Sequence, residues 1–287
     1  MRREVRWEKM FPDELESAFK ECPVAYLPYG LCEPHGPQSA LGMDALRAHN
    51  VLRLTAQEYG GIVAPLEYWN IHDLGIYTAW AYQVVGEARP WLTAVPPWIF
   101  FKNVCYHIRT VDSLGFHVAI LFTGHSGPHA EDIKTMVEIL QPHFATRLAF
   151  FTDGDLMSVG AGHGGKVETS LLWAVEPDCV DISRAPEHGL PEPRFAMGED
   201  AKQSDRRLGE KLIAEMVVNV GAKAKELLEE YSRLQPPRQS LTYEQIEQIW
   251  DQDVKPRFSK FASMQSGQKE PPKDSRWHAQ WQIPNRS

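Results

Sequence analysis

Short apolar runs rich in β-branched and aromatic residues recur along the chain, separated by longer stretches whose apolar residues return at helical spacing. That alternation is the sequence form of βαβ units. It predicts an α/β fold of three layers, with a mostly parallel sheet flanked by helices. Strands are expected over Val24 to Pro28, Ile62 to Leu66, Val118 to Thr123 and Leu148 to Thr152, each bounded by Gly, Pro or Asp. Between them, Asp44 to Glu58 places Leu46, Leu52 and Leu54 among polar residues, Pro97 to Ser113 follows two prolines, and Ala130 to Leu140 follows Gly127 and Pro128. All three read as helices.

A long helix is expected from about Asp200 to Leu234. It is rich in Ala, Leu, Glu and Lys and stops at Pro236 and Pro237, while Gly209 and Gly221 inside it mark bends or close packing. Beyond Pro237 the aliphatics thin out, and Gln, Ser, Pro and Lys increase around Trp250, Phe258, Phe261, Trp277 and Trp281. Residues 1–234 therefore read as one domain, and residues 235–287 as an irregular extension that packs on that domain or on a neighbouring subunit. No internal repeat is visible.

With 287 residues the chain can bury a substantial core. Its 30 basic and 38 acidic side chains leave a formal charge of −8, so it offers no basic stripe for a nucleic-acid backbone. Small neutral or cationic substrates remain open. No apolar run reaches the roughly 20 residues that cross a bilayer, and Arg2 and Arg3 lead into polar sequence without an apolar signal segment. Cys22, Cys32, Cys105 and Cys179 are scattered, which fits neither a zinc ribbon nor a disulfide framework. Reduced thiols in a cytoplasmic protein without membrane or nucleic-acid partners are expected.

Potential metal ligands cluster just after predicted strands. The first stretch reads Glu33-Pro34-His35-Gly36-Pro37, with Asp44 at the start of the next helix. A carboxylate, an imidazole and a second carboxylate make a plausible set for zinc, manganese or iron. Read alone, it fits equally well a surface charge and a turn histidine. The second stretch, Gly124-His125-Ser126-Gly127, ends the strand Val118 to Thr123, where open α/β sheets bind ligands, although a lone histidine there is more commonly structural. In the third, His163 sits on a glycine loop five residues before Glu168. That pattern also suits a plain turn followed by a first-turn helix acid.

Together the three stretches resemble the creatininase (creatinine amidohydrolase) family, which carries an E-x-H-G-P loop followed by an aspartate, then a strand ending in G-H-x-G or a variant, then H-x-G-x-x-E-T-S. Here the pieces are Glu33, His35, Gly36 and Pro37 with Asp44, then Gly124 to Gly127, then His163, Gly165, Glu168, Thr169 and Ser170, in the same order over roughly residues 20 to 232. The resemblance implies a hydrolase of C–N bonds in small cyclic amides, formamides or related compounds, acting through water activated by two divalent ions (Zn, Mn or Fe). By the same resemblance Glu33 and His125 hold one ion, His35 holds the other, Asp44 bridges both, and His163 handles the proton. Family members proper to creatinine have a carboxylate where this chain has Gly127. Glu168 is the candidate for the missing ligand and a second catalytic group, with Glu131 a weaker substitute. The family further implies a homo-oligomer, commonly a hexamer.

Gln38 stands where the family usually has a second histidine, Met43 where threonine is common, and Thr123 where asparagine is usual. Creatinine is therefore not the expected substrate. The stretch Tyr68 to Trp98, with Trp69, Trp80, Trp91 and Trp98, reads as a lid, as core or as a subunit contact. Two alternatives stand beside the amidohydrolase: a related peptidase trimming a precursor peptide, which needs an open groove, and a non-catalytic oligomeric scaffold, which predicts His125 more than about 8 Å from Asp44.

Overall fold

A computed structural model describes residues 3–72, 77–187, 194–265 and 269–282. In chain order its main elements are α1 (Pro12–Glu21), β1 (Val24–Tyr29), α2 (Met43–Tyr59), β2 (Ile62–Val63), α3 (Tyr77–Val85), α4 (Pro97–Ser113), β3 (Val118–Thr123), α5 (Pro128–Leu140), β4 (Arg147–Phe151), α6 (Asp153–Leu156), α7 (Lys166–Val175), α8 (Arg206–Leu234) and α9 (Tyr243–Ile249).

The four strands form one parallel sheet in the order β2-β1-β3-β4. Val24 lies beside Val118 and Tyr29 beside Thr123, so β1 and β3 end level with each other. Because side chains alternate across a strand, each central strand feeds two cores. Ala25, Leu27, Ala119 and Leu121 face α4 and α5, whereas Tyr26, Ile120 and Phe122 face α2, α7 and α8. This is the three-layer α/β arrangement expected from the alternation of runs.

Two boundaries differ from expectation for local reasons, and one glycine is resolved between its two expected roles. The strand expected over Ile62 to Leu66 stops at Val63: Pro65 has no N–H to donate, although the amides of Ala64 and Glu67 still reach the carbonyls of Tyr26 and Pro28. The long helix begins at Arg206 because the Asp205 carboxylate caps it by accepting from the Arg207 amide (2.8 Å), and Asp200 instead accepts from Lys166 N. Gly209 packs against α7, where a Cβ would lie 1.8 Å from the Ser170 carbonyl oxygen, so close packing and not a bend explains it.

The extension is more ordered than its composition suggests. Thr242 and Gln245 form a reciprocal cap at the start of α9, which continues as a π-helical turn over Trp250–Val254 and a 3₁₀ stretch over Lys255–Lys260. Ile246, Ile249, Trp250, Val254 and Phe261 join the core beside α4 and α5, so this part packs on its own chain. The four cysteines are free, and among the described residues no helix is long and apolar enough to cross a membrane.

Candidate metal centre and active site

β1 and β3 end side by side, and the loops that leave them carry Glu33, His35 and His125. The first turn of α2 lies directly across these strand ends. A Cβ on Gly124 would sit 2.2 Å from the Asp44 carbonyl oxygen, so only glycine admits this approach. The packing lowers Asp44 between the two loops. Glu168 arrives from the first turn of α7, after the glycine loop that carries His163.

The two carboxylate oxygens of Asp44 face different imidazoles. Oδ1 lies 3.1 Å from His35 Nε2, and Oδ2 lies 3.2 Å from His125 Nδ1. Glu33 Oε1 is 2.9 Å from His125 Nδ1, and Glu168 Oε2 is 3.7 Å from His35 Nε2. Three groups of ligand atoms each converge within 4.8 Å: Glu33 with Asp44 and His125, His35 with Asp44 and Glu168, and Glu33 with His35 and His163. The first two share Asp44. All five of these carboxylate and imidazole side chains other than His163 are buried. Glu131 is exposed on α5 and joins none of these groups.

The donor set suits cations. His35 Nδ1 lies 3.1 Å from the Glu33 carbonyl and His125 Nε2 3.1 Å from the Ile71 carbonyl. A carbonyl only accepts, so those nitrogens carry the protons and the opposite nitrogens turn lone pairs toward carboxylates. His35 Nε2 and Asp44 Oδ2 have no hydrogen-bond partner. The surrounding negative charge favours a positive occupant: against burial, which lowers them, Asp44, Glu33 and Glu168 push the pKa of His35 up to about 9, and Glu33 and Asp44 push that of His125 up to about 10. Burial would raise Asp44, yet the facing imidazoles hold it below the usual carboxylate range.

Several residues that sequence reasoning passed over complete the site. Arg47, fully buried one turn after Asp44, lies 2.7 Å from Asp153, 3.5 Å from Glu168 and 3.7 Å from Asp44, and donates to the Gly124 carbonyl. His72 Nε2 is 2.7 Å from Glu33 Oε2, and His129 stacks on His125 with ring centroids 4.5 Å apart. Burial raises Asp153 to about 7 despite Arg47. Among the departures from the family pattern, Gln38 donates to the carbonyls of His35 and Gly164, tying two loops together, and the Thr123 hydroxyl bonds the His125 backbone.

His163 stacks on His35 at 4.3 Å, and its Nε2 bonds the Pro34 carbonyl at 3.0 Å. Nδ1 is thereby left as the basic atom, 3.9 Å from Glu33. Burial and the neighbouring His35 lower its pKa. A cavity of about 230 Å³ opens on this side of the cluster, walled by Ile71, Tyr77, Trp80, His129, Ala262 and Ser263. The aromatic stretch thus divides: Tyr77 and Trp80 line the cavity, Trp98 enters the core, and Trp69 and Trp91 are exposed. Residues 73–76 of that stretch lie outside the described residues.

A family model described as creatininase, creatinine amidohydrolase, matches residues 8–223. Comparison with curated proteins returns no match. Among solved structures, a mutant creatininase of Zn-Zn type is 22% identical with TM-score 0.62, covering 82% of this chain and 100% of that one. A structure described as creatininase Mn is 23% identical with TM-score 0.61 and the same coverage. A putative creatinine amidohydrolase from Bacteroides fragilis is 16% identical with TM-score 0.62, covering 79% of this chain and 97% of that one.

Proposed function

The chain belongs to the creatininase family, and from that membership and the geometry of Asp44 we propose a metal-dependent amidohydrolase that cleaves a C–N bond in a small cyclic amide, formamide or related compound. The observation that carries the reading is the pair of three-residue groups sharing Asp44. Glu33, Asp44 and His125 would hold one divalent ion and His35, Asp44 and Glu168 a second, with Zn, Mn or Fe suited to this donor set. When bound, such a pair supplies an acidified water and polarises the amide carbonyl.

The chain's own residues do the rest. His163, its Nε2–H held by the Pro34 carbonyl, presents Nδ1 to accept a proton and return it to the departing nitrogen. Glu168 accepts from the Gly164 amide at 2.7 Å, which fixes the glycine loop and so the position of His163. Arg47 balances the buried carboxylates from beneath. Tyr77 and Trp80 present rings to the substrate and limit water.

The cavity of about 230 Å³ supports a small substrate over a peptide, because a peptidase needs a groove. The 3.2 Å between His125 and Asp44 supports a working centre over a scaffold. A cytoplasmic homo-oligomer, hexameric by resemblance, and a division of the chain at residue 234 belong to the same proposal. Light scattering tests the first. The central experiment is elemental analysis of protein purified without added metal, coupled to a screen of cyclic amides and formamides. Two equivalents per chain are expected, with turnover lost on chelation and restored by Mn²⁺, Zn²⁺ or Fe²⁺. Full activity in metal-free protein overturns the reading.

A further inference from the structure

We infer that the C-terminal extension forms the outer wall of the substrate cavity and sets the size of amide admitted, an assignment that rests on the amidohydrolase reading. The family match ends at residue 223, yet Ala262 and Ser263 line the same cavity as Glu33, His125 and His163. This part of the wall therefore comes from residues outside the matched range.

The wall is latched at two places. On α5, the buried Asp132 carboxylate accepts from the amides of Ala262 (3.0 Å) and Ser263 (2.8 Å) and from the Ser263 hydroxyl (2.6 Å). Three hydrogen bonds to one charged acceptor fix a short segment strongly. Phe261, edge-on to Phe101 at 5.2 Å, anchors the same segment in the core. α5 also carries His129, so latch and cavity share one helix.

Farther along, fully buried Trp277 packs on Ala81, Val85 and Ala196, and its Nε1–H donates to the Gly86 carbonyl at 3.0 Å. Ala81 and Val85 belong to α3, the helix that supplies Tyr77 and Trp80 to the opposite rim. The extension thus holds both sides of the opening. Among the described residues no lysine or arginine lines the cavity, so the class of substrate it fits is a small, flat amide that is neutral or cationic away from the scissile bond.

The test uses two full-length, metal-loaded variants: Asp132→Ala, which releases the latch, and Ala262→Trp, which fills the cavity from a half-buried position outside the core. Activity is read on a five-membered lactam and its benzo-fused analogue. Asp132→Ala is expected to raise kcat/KM for the fused ring relative to the parent by about tenfold, and Ala262→Trp to lower it by a similar factor. Independently of turnover, carbethoxylation of His72 and His129 by diethylpyrocarbonate, mapped by mass spectrometry, is expected to accelerate severalfold in Asp132→Ala and to slow in Ala262→Trp. Wild-type carbethoxylation rates in both variants overturn the inference, as does an unchanged size preference. If Asp132→Ala does not fold, Ala262→Trp decides alone. A wild-type protein that hydrolyses no amide defeats the amidohydrolase reading instead, and the carbethoxylation rates still decide the wall.

Discussion

Glu33 and His125 line the floor of the cavity, backed by His35, Asp44 and Glu168, and all five are nearly sealed from solvent and held by backbone carbonyls, a buried arginine and a helix pressed onto two strand ends. The rim is made by half-exposed Trp80, by Tyr77 and by Ala262 and Ser263, which depend on one carboxylate and a distant tryptophan for their positions. Charged groups removed from water tolerate little displacement, because each lost partner leaves an uncompensated charge. Aromatic and methyl surfaces tolerate far more. The difference teaches that the two regions carry different physical constraints, the floor electrostatic and the rim steric.

That contrast can be broken from either side. Asp44→Asn removes charge from the atom pair shared by both ligand groups. We expect kcat/KM to fall by about 10³-fold or more, equivalent to several kcal/mol of lost transition-state stabilisation, with metal content below that of wild type by elemental analysis. A variant with full metal and full activity would mean that Asp44 holds no ion. Arg47→Met should act on folding instead. Leaving Asp153 and Glu168 without their buried partner should cost about 3–5 kcal/mol, read from the urea midpoint at pH 7. His163→Gln separates proton handling from ligation: kcat should drop about 10²-fold while two metal equivalents remain.

The smallest effect is expected far from the centre, where Lys102 and Tyr106 of α4 bond Glu247 of α9. Hydrogen bonds from Lys102 and then Tyr106 hold the Glu247 carboxyl below its ordinary range. Its contribution is therefore complete above the unfolded-state value and lost as pH falls through the lower folded-state value. For so exposed a pair the stake is about 0.2–1 kcal/mol. Glu247→Gln should lower the urea midpoint slightly at pH 7 and match wild type at pH 3. A gap that persists at pH 3 would trace the effect to packing.

Much of the floor was legible in the sequence because its residues come in short motifs next to strand ends, where a glycine or proline beside a histidine is visible without coordinates. Arg47, His72 and Asp153 were not, since each is a lone residue whose role appears only when separate elements meet. Arg47 left one trace, its place one turn after Asp44 on a helix face it shares with Met43, Ala48 and Val51. The core strands and α4 follow directly from the pattern of apolar runs and the prolines and glycines that bound them. Sparse aliphatics make the extension look irregular, but the spacing of Ile246, Ile249, Trp250 and Val254 and the Thr242–Gln245 cap are helix signals within it. The latch by Asp132 joins positions too far apart in the chain for any local pattern to reveal.

Gly124 has a practical corollary for anyone wishing to redesign this protein. A single methyl group there would collide with the Asp44 peptide, so even the mildest substitution unseats the residue on which both ligand groups depend. Combinatorial libraries aimed at new specificities should keep that position invariant and spend their diversity at Tyr77, Trp80 and Ala262, where variation alters the shape of the mouth and spares the catalytic scaffold.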